Sequence, residues 1–167
     1  GNWAVPLDDA LPLSVSGDFG AFGDHIARQK DLKNPLLVAA PPKSTMATLE
    51  DVEALQELFV EAAWRAKCAG FDGVQLACHH GFLISQFLSP LSNHRTDKYG
   101  GSLENRARFA VEVTQKVRQR IGSGMAVICA LSGDELIEGG LKPDESAEIA
   151  AMLEKAGADA IHVVPGL

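Results

Sequence analysis

A long amphipathic pattern runs from Thr48 to Gly70. Apolar side chains recur there every three or four residues, which is the spacing of one face of an α-helix. Thr48 followed by Asp51 is typical of a helix N-cap, and Gly70 is a common residue at a helix end. The same period predicts two further helices, at residues 102–121 and 143–156.

Short apolar runs lie between and after these helices. They span residues 73–78, 125–131 and 160–164, and strands that are buried on both faces have this continuous apolar composition. Strand and helix alternate with the lengths that right-handed crossover connections need. The pattern therefore predicts an α/β fold with a parallel sheet covered by helices.

The N-terminal part of the chain lacks such a pattern. Gly, Asp and Pro with scattered apolar residues indicate loops, with a short helix near residues 22–30 and an edge strand or coil at 34–40. We therefore divide the chain into an irregular segment, residues 1–47, which packs on an α/β domain, residues 48–167.

Composition excludes some classes of partner. Of the 167 residues, 46% are hydrophobic and 22% are charged, and the formal net charge is −7. Nucleic acids and anionic membranes are bound through clusters of Lys and Arg. A membrane span needs about 20 apolar residues in succession, and neither that pattern nor a secretory signal is present. We expect no nucleic-acid partner, no membrane association and a cytoplasmic location.

The chain has three cysteines, Cys68, Cys78 and Cys129, with no CxxC spacing. Each falls in an apolar helix or strand pattern. Buried free thiols are therefore predicted, and disulfides or a metal site are not.

Residues 70–108 read GFDGVQLACHHGFLISQFLSPLSNHRTDKYGGSLENRAR. This stretch resembles the middle of an old-yellow-enzyme barrel, the NADH:flavin oxidoreductase family, and the resemblance extends over about residues 48–166. It implies the fourth to sixth units of a TIM barrel. Because a complete barrel needs about 200 to 250 residues, we expect a truncated, partial barrel that is completed by dimerisation or by the segment 1–47.

The resemblance also implies which positions face a ligand. In the family, a strand ends in a pattern like H-x-x-H/N-G-Y, in which the first His and its partner bind the substrate carbonyl and the Tyr donates a proton. The matching residues are Ala77, His80 and Phe82, so that only His80 keeps a polar side chain. On the following strand, Ala130 stands where the family has an Arg that is directed at the flavin.

These replacements lead us to expect that no cofactor is bound. The chain also ends before the strands whose loops hold the FMN phosphate in the family. The favoured hypothesis is a flavin-independent enzyme that isomerises, dehydrates or cyclises a small enone- or polyene-like biosynthetic intermediate in an apolar pocket. The alternatives are a fragment or subunit of an FMN-dependent NAD(P)H ene-reductase, and a non-catalytic barrel remnant that acts as a partner protein.

The candidate site residues fall into two groups. Residues able to exchange a proton are the catalytic candidates: His80, His79 and Tyr99, the only tyrosine of the chain. Residues placed by the resemblance around the same pocket are the candidates for substrate contact: Phe82, Ala77, Ala130 and Cys78.

Three further polar residues lie close to the predicted strand ends. Asp134 and Glu135 follow the second strand and suit a solvated loop, with a catalytic base as the alternative, and His162 suits a buried core position.

A partial sheet leaves unpaired strand edges. Two copies related by a two-fold axis would cover them, and we therefore expect a homodimer.

Overall fold

A computed structural model describes residues 13–15 and 45–166 of the chain. The predicted helix near 22–30 and the predicted strand or coil at 34–40 lie outside these residues, and the division at residue 48 stays a prediction. In chain order the elements are β1 (Leu13–Ser14), β2 (Thr45–Met46), α1 (Leu49–Cys68), β3 (Gly73–Cys78), α2 (Leu83–Leu88), α3 (Leu103–Ile121), β4 (Ala126–Asp134), α4 (Pro143–Ala156) and β5 (Ala160–Pro165).

The centre of the fold is a parallel sheet with the strand order β3-β4-β5. Helices α1, α3 and α4 cover one face of it, and the core lies between this face and the helices. The predicted α/β fold with parallel strands is confirmed. Within the described ranges β3 and β5 each have one edge without a strand partner, and the homodimer stays a prediction.

Helix α1 begins as its sequence predicts. The Thr48 hydroxyl accepts a hydrogen bond from the Asp51 N–H at 3.1 Å, and Asp51 Oδ2 accepts one from the Thr48 N–H at 2.8 Å. This reciprocal pair satisfies two backbone donors that a helix start leaves open. Gly70, with φ +84°, turns the chain away after the helix.

Two elements differ from the prediction. Strand β4 continues to Asp134 because it keeps pairing with β5 through an irregularity between Ser132 and Asp134. Helix α2 occupies a stretch that the sequence presents as loop. Five of its six residues are buried, so it has no polar face, and a helix without a polar face shows no amphipathic period.

The short strands β1 and β2 are joined to the rest of the fold by Arg95. Its Nη1 donates to the carbonyl oxygens of Val15 at 2.9 Å and Ala47 at 2.6 Å. Its Nη2 contacts Asp97 Oδ2 at 2.6 Å. The guanidinium is buried, and this one side chain therefore links the loop after α2 to two distant segments.

Helix α1 has acidic residues in its first turn and basic residues in its last, which complements the helix dipole. Neither α1 nor any other helix in the described part of the chain combines the length and apolar character needed to cross a bilayer.

Candidate functional site

The turn between β3 and α2 presents two histidines at the carboxyl end of the sheet. His80 has φ +51° and Gly81 has φ +69°. A left-handed conformation at a residue other than glycine costs roughly 1–2 kcal/mol. The turn is held by the Phe82 N–H, which donates to the His79 carbonyl at 3.1 Å, and by Gln86 Nε2, which donates to the Gly81 carbonyl at 2.9 Å. The backbone thus fixes the direction of the His80 side chain.

The two imidazoles contact each other. The Nδ1 atoms of His79 and His80 are 2.5 Å apart, so one ring donates and the other accepts. This pairing uses the Nδ1 atom of each ring, and within residues 13–15 and 45–166 neither Nε2 atom has a hydrogen-bond partner. Phe82 packs edge-on against His79, with ring centroids 5.5 Å apart. Phe82 therefore supports the histidine pair from one side.

The protonation of His79 follows from its surroundings. Partial burial, and then the charges of His80 and His162, lower the pKa of His79. Its ordinary value is close to 6.5, so the ring is neutral at pH 7. A neutral imidazole has one donor and one acceptor and can pass a proton between its two sides.

Three side chains form a row across the sheet, just before this turn. Ala77 of β3 pairs in register with Ala130 of β4, and Ala130 pairs with His162 of β5. Residues in register on neighbouring strands point to the same face. Ala77 is half-buried, Ala130 is buried and His162 is exposed. The predicted core position of His162 is therefore wrong, and the row consists of two methyl groups and one accessible imidazole.

Cys78 lies on the opposite face from Ala77. Its side chain is buried among the core residues under the helices, where a hydrogen bond with Cys129 and burial raise the pKa of its thiol. It faces away from the Ala77–Ala130–His162 row, and we leave it out of the site. Cys68 is exposed, which corrects the prediction of a buried thiol, and the cysteines of the described residues are all free.

Tyr99 lies in the core between α1 and α3. Its hydroxyl donates to Glu112 Oε2 at 2.8 Å and accepts from Gln56 Nε2 at 3.4 Å. Burial, together with the hydrogen bond to Glu112, raises the pKa of Tyr99 to about 12. A buried phenol that is committed to a carboxylate is poorly suited to donate a proton to a substrate, and we assign Tyr99 a structural role.

Replacing Tyr99 with Phe tests that role. We expect the free energy of unfolding to fall by about 1 kcal/mol, because one buried hydrogen bond is lost while Glu112 keeps its contact with Gln56. Urea unfolding measures the change. Turnover by the folded variant should equal that of the parent, and a Tyr99→Phe protein of unchanged stability and much lower turnover would instead make Tyr99 a proton donor.

Glu135 is buried, and the predicted solvated loop is wrong for it. Its Oε2 accepts hydrogen bonds from the Ser89 hydroxyl and the Leu141 N–H, each at 2.7 Å. Burial raises the pKa of this carboxyl group. Glu135 thereby ties the end of α2 to the loop before α4. The neighbouring Asp134 accepts from the Leu136 N–H at 2.7 Å and shapes the same loop.

No group of three or more His, Cys, Asp or Glu side chains in residues 13–15 and 45–166 is arranged to hold a metal ion.

Comparison with known proteins connects this geometry to a family. The family described as NADH:flavin oxidoreductase / NADH oxidase matches residues 21–165. The NADH oxidase of Thermoanaerobacter brockii is 44% identical over 120 residues, which are 72% of this chain and 18% of that protein. A 2-naphthoyl-CoA reductase solved with 2-naphthoyl-CoA matches with a TM-score of 0.78 at 33% identity, over 93% of this chain and 21% of that one.

A third match bears on the barrel. The old yellow enzyme homologue from Zymomonas mobilis has a TM-score of 0.73 at 28% identity, over 94% of this chain and 42% of that one. Old yellow enzymes are TIM barrels, and the partial barrel with parallel strands is thereby confirmed. The chain spans less than a fifth of the NADH oxidase, at 18%, and about two fifths of the Zymomonas enzyme, at 42%.

These matches overturn the expectation that no cofactor is used. The matched family is one of FMN enzymes, and the relatives are oxidases and reductases. The expectation rested in part on Ala77, Phe82 and Ala130. FMN is large enough to be held by many contacts, backbone groups among them. The loss of three polar side chains therefore does not show whether FMN binds. The favoured isomerase or cyclase has no support among the relatives.

The row presents only part of what the ring system of a flavin needs. The rings are flat and largely apolar, and hydrogen-bonding atoms line one edge. Ala77 is half-buried and Ala130 is buried, so the row offers one exposed polar side chain, His162. The exposed side chains of His80 and His162 are the described groups that could meet the polar edge of such a ring system.

Proposed function

Because the chain belongs to the NADH:flavin oxidoreductase / NADH oxidase family, we propose that it is part of an FMN-dependent NAD(P)H oxidoreductase that reduces a small molecule with an alkene conjugated to a carbonyl group. The observation that carries this proposal is the His79–His80 turn at the carboxyl end of β3, next to the row Ala77–Ala130–His162. Active sites of barrels with this architecture lie at that end of the strands.

His80 is the principal group for binding the substrate. The FMN, when bound, supplies the hydride chemistry. His80 is exposed, and a hydrogen bond from its Nε2 to the substrate carbonyl oxygen would stabilise negative charge that develops there. With Ala77 in place of a second polar residue, this contact depends on one imidazole.

The proton for the substrate has to come from a group other than residue 82, since Phe82 has no hydroxyl. We take His79 as the candidate proton donor, because it contacts the substrate-binding His80. Its Nδ1 lies 2.5 Å from His80 Nδ1, and its lowered pKa keeps it neutral at pH 7. A proton that His80 gives up can therefore be replaced through His79.

Flavin binding is the first test of this proposal. The full polypeptide that the gene encodes, purified and titrated with FMN, is expected to quench the fluorescence of one FMN per chain. The bound flavin should then be reduced by NADPH or NADH and reoxidised by a carbonyl-conjugated alkene, followed by absorbance without oxygen. A folded protein that neither contains nor takes up FMN would contradict the proposal, and FMN binding without reoxidation by any such alkene would contradict the substrate class.

A further inference from the structure

Gln86 connects helix α2 to the turn that carries His80. Its side-chain Nε2 donates to the Gly81 carbonyl oxygen at 2.9 Å, and its backbone N–H donates to the Phe82 carbonyl oxygen at 2.9 Å. Gln86 is buried, and a buried amide is costly unless it makes a hydrogen bond. This amide makes its hydrogen bond outside its own helix, to the turn.

The turn needs such a contact because of its conformation. His80 and Gly81 have φ values of +51° and +69°. This backbone region is unfavourable for His, whereas Gly adopts it and several other regions about equally well. If nothing held the Gly81 carbonyl, Gly81 could rotate and relieve the strain at His80. A strained conformation persists where its surroundings over-determine it, and the Gln86 side chain supplies one of those contacts.

Helix α2 is a firm base for this contact. Ile84, Phe87 and Leu88 of the helix are packed in the core and are at most 1% exposed. Asn93 Nδ2 donates to the Phe87 carbonyl at 2.6 Å and ties the helix to the loop that follows it. The position of the Gly81 carbonyl is therefore set by the packed core through Gln86.

We propose that Gln86 is a positioning residue for the reaction, whose amide holds the turn so that the His80 imidazole stays paired with His79 and directed at the substrate. This inference rests on the proposed function. The two rings meet through Nδ1 atoms 2.5 Å apart, and a change of backbone angles at residues 80 and 81 would separate them. Loss of the Gln86 donor should therefore lower kcat about tenfold, because a misplaced group stabilises the transition state less well.

The test compares two variants of the full polypeptide with the parent. Gln86→Met removes the donor and keeps the length of the side chain. Ser146→Ala is the matched control, because the buried Ser146 hydroxyl likewise donates at 2.9 Å to a carbonyl of another element, that of Ser132. We expect similar shifts of the urea unfolding midpoint for both variants and an unchanged dissociation constant of FMN. Only Gln86→Met should lower kcat for the conjugated carbonyl substrate.

Two further measurements show whether Gln86 acts through His80. In a His80→Ala background, Gln86→Met should cause no additional loss of kcat, because residues that act as a unit are not additive. By NMR of labelled histidines, the pKa of His79 should rise towards its ordinary value of about 6.5 in Gln86→Met. The reason is that partial burial and then the charge of His80 lower this pKa, and both depend on the turn. Ser146→Ala should leave the pKa of His79 unchanged.

The outcomes separate the inference from the proposed function. If the parent is active and Gln86→Met has the same kcat and the same His79 pKa, the inference is wrong and the proposed function stands. A loss of kcat that persists in full in the His80→Ala background would also contradict the inference. If the parent neither binds FMN nor reduces the alkene, the proposed function fails, and the His79 pKa in Gln86→Met then decides whether Gln86 holds the turn.

Gln86→Glu covers the case in which Gln86→Met does not fold. A carboxyl group donates a hydrogen bond only when it is protonated, and burial raises its pKa. The kcat of Gln86→Glu relative to the parent should therefore rise as the pH falls from about 8 to about 5. A ratio that stays constant over this range would show that the turn does not need a donor at residue 86.

Discussion

Replacing Arg95 with Ala is expected to lower the free energy of unfolding by about 3 kcal/mol or more. The substitution leaves the Val15 and Ala47 carbonyls without their donor and removes the partner of Asp97. An unsatisfied buried polar group costs about 1–3 kcal/mol, and breaking a buried ion pair costs more than breaking an exposed one. Urea unfolding followed by circular dichroism measures the change.

The matched control is Lys116→Ala. Lys116 pairs with Glu57 at 2.7 Å, a distance similar to that of the Arg95–Asp97 pair, but both partners are exposed. An exposed pair contributes about 0–1 kcal/mol. Equal losses for Arg95→Ala and Lys116→Ala would show that the loop between α2 and α3 does not depend on the buried guanidinium.

Replacing His80 with Ala is expected to lower turnover by about 10²-fold or more, the effect of losing an oxyanion contact or an acid–base group. FMN binding and the unfolding transition should change little, because His80 is exposed. The measurements are kcat/KM for the conjugated carbonyl substrate and the dissociation constant of FMN. We expect turnover and kcat/KM to fall together, while the dissociation constant of FMN stays at the parent's value.

His80→Asn is the matched control for this prediction. Asn tolerates the left-handed backbone at φ +51° better than most residues, and its amide keeps a hydrogen-bond donor. It should retain most of the activity that His80→Ala loses. A folded His80→Ala protein that binds FMN and turns over like the parent would exclude His80 from the chemistry and would leave only shape control by Phe82 and the row.

Short-range patterns account for most of the helices and strands that were predicted correctly. The Thr48–Asp51 cap, the apolar period of α1 and the apolar run of β3 each depend on residues a few positions apart. The same holds for the resemblance to the flavin family, which rests on one continuous stretch. Helix α2 was not predicted, because a helix that is buried on nearly all sides lacks an amphipathic pattern.

Which residues belong to the site could not be decided from the sequence alone. Cys78 and Ala77 are neighbours in the chain but lie on opposite faces of β3, so that one belongs to the core and the other to the row. From the sequence, Tyr99 was a candidate proton donor, being the only tyrosine of the chain. Its partners Gln56 and Glu112 come from two separate helices, and only packing reveals that they bury its hydroxyl.

The sequence by itself determined the family, the alternation of strands and helices, and His80 as the polar residue retained in the family pattern. The tertiary structure decided which distant residues share a surface. His162 reads as an ordinary strand residue, and it joins Ala77 and Ala130 because backbone hydrogen bonds across β3, β4 and β5 set their register. Register depends on pairing between segments far apart in the chain, and the continuous apolar runs of buried parallel strands do not specify it.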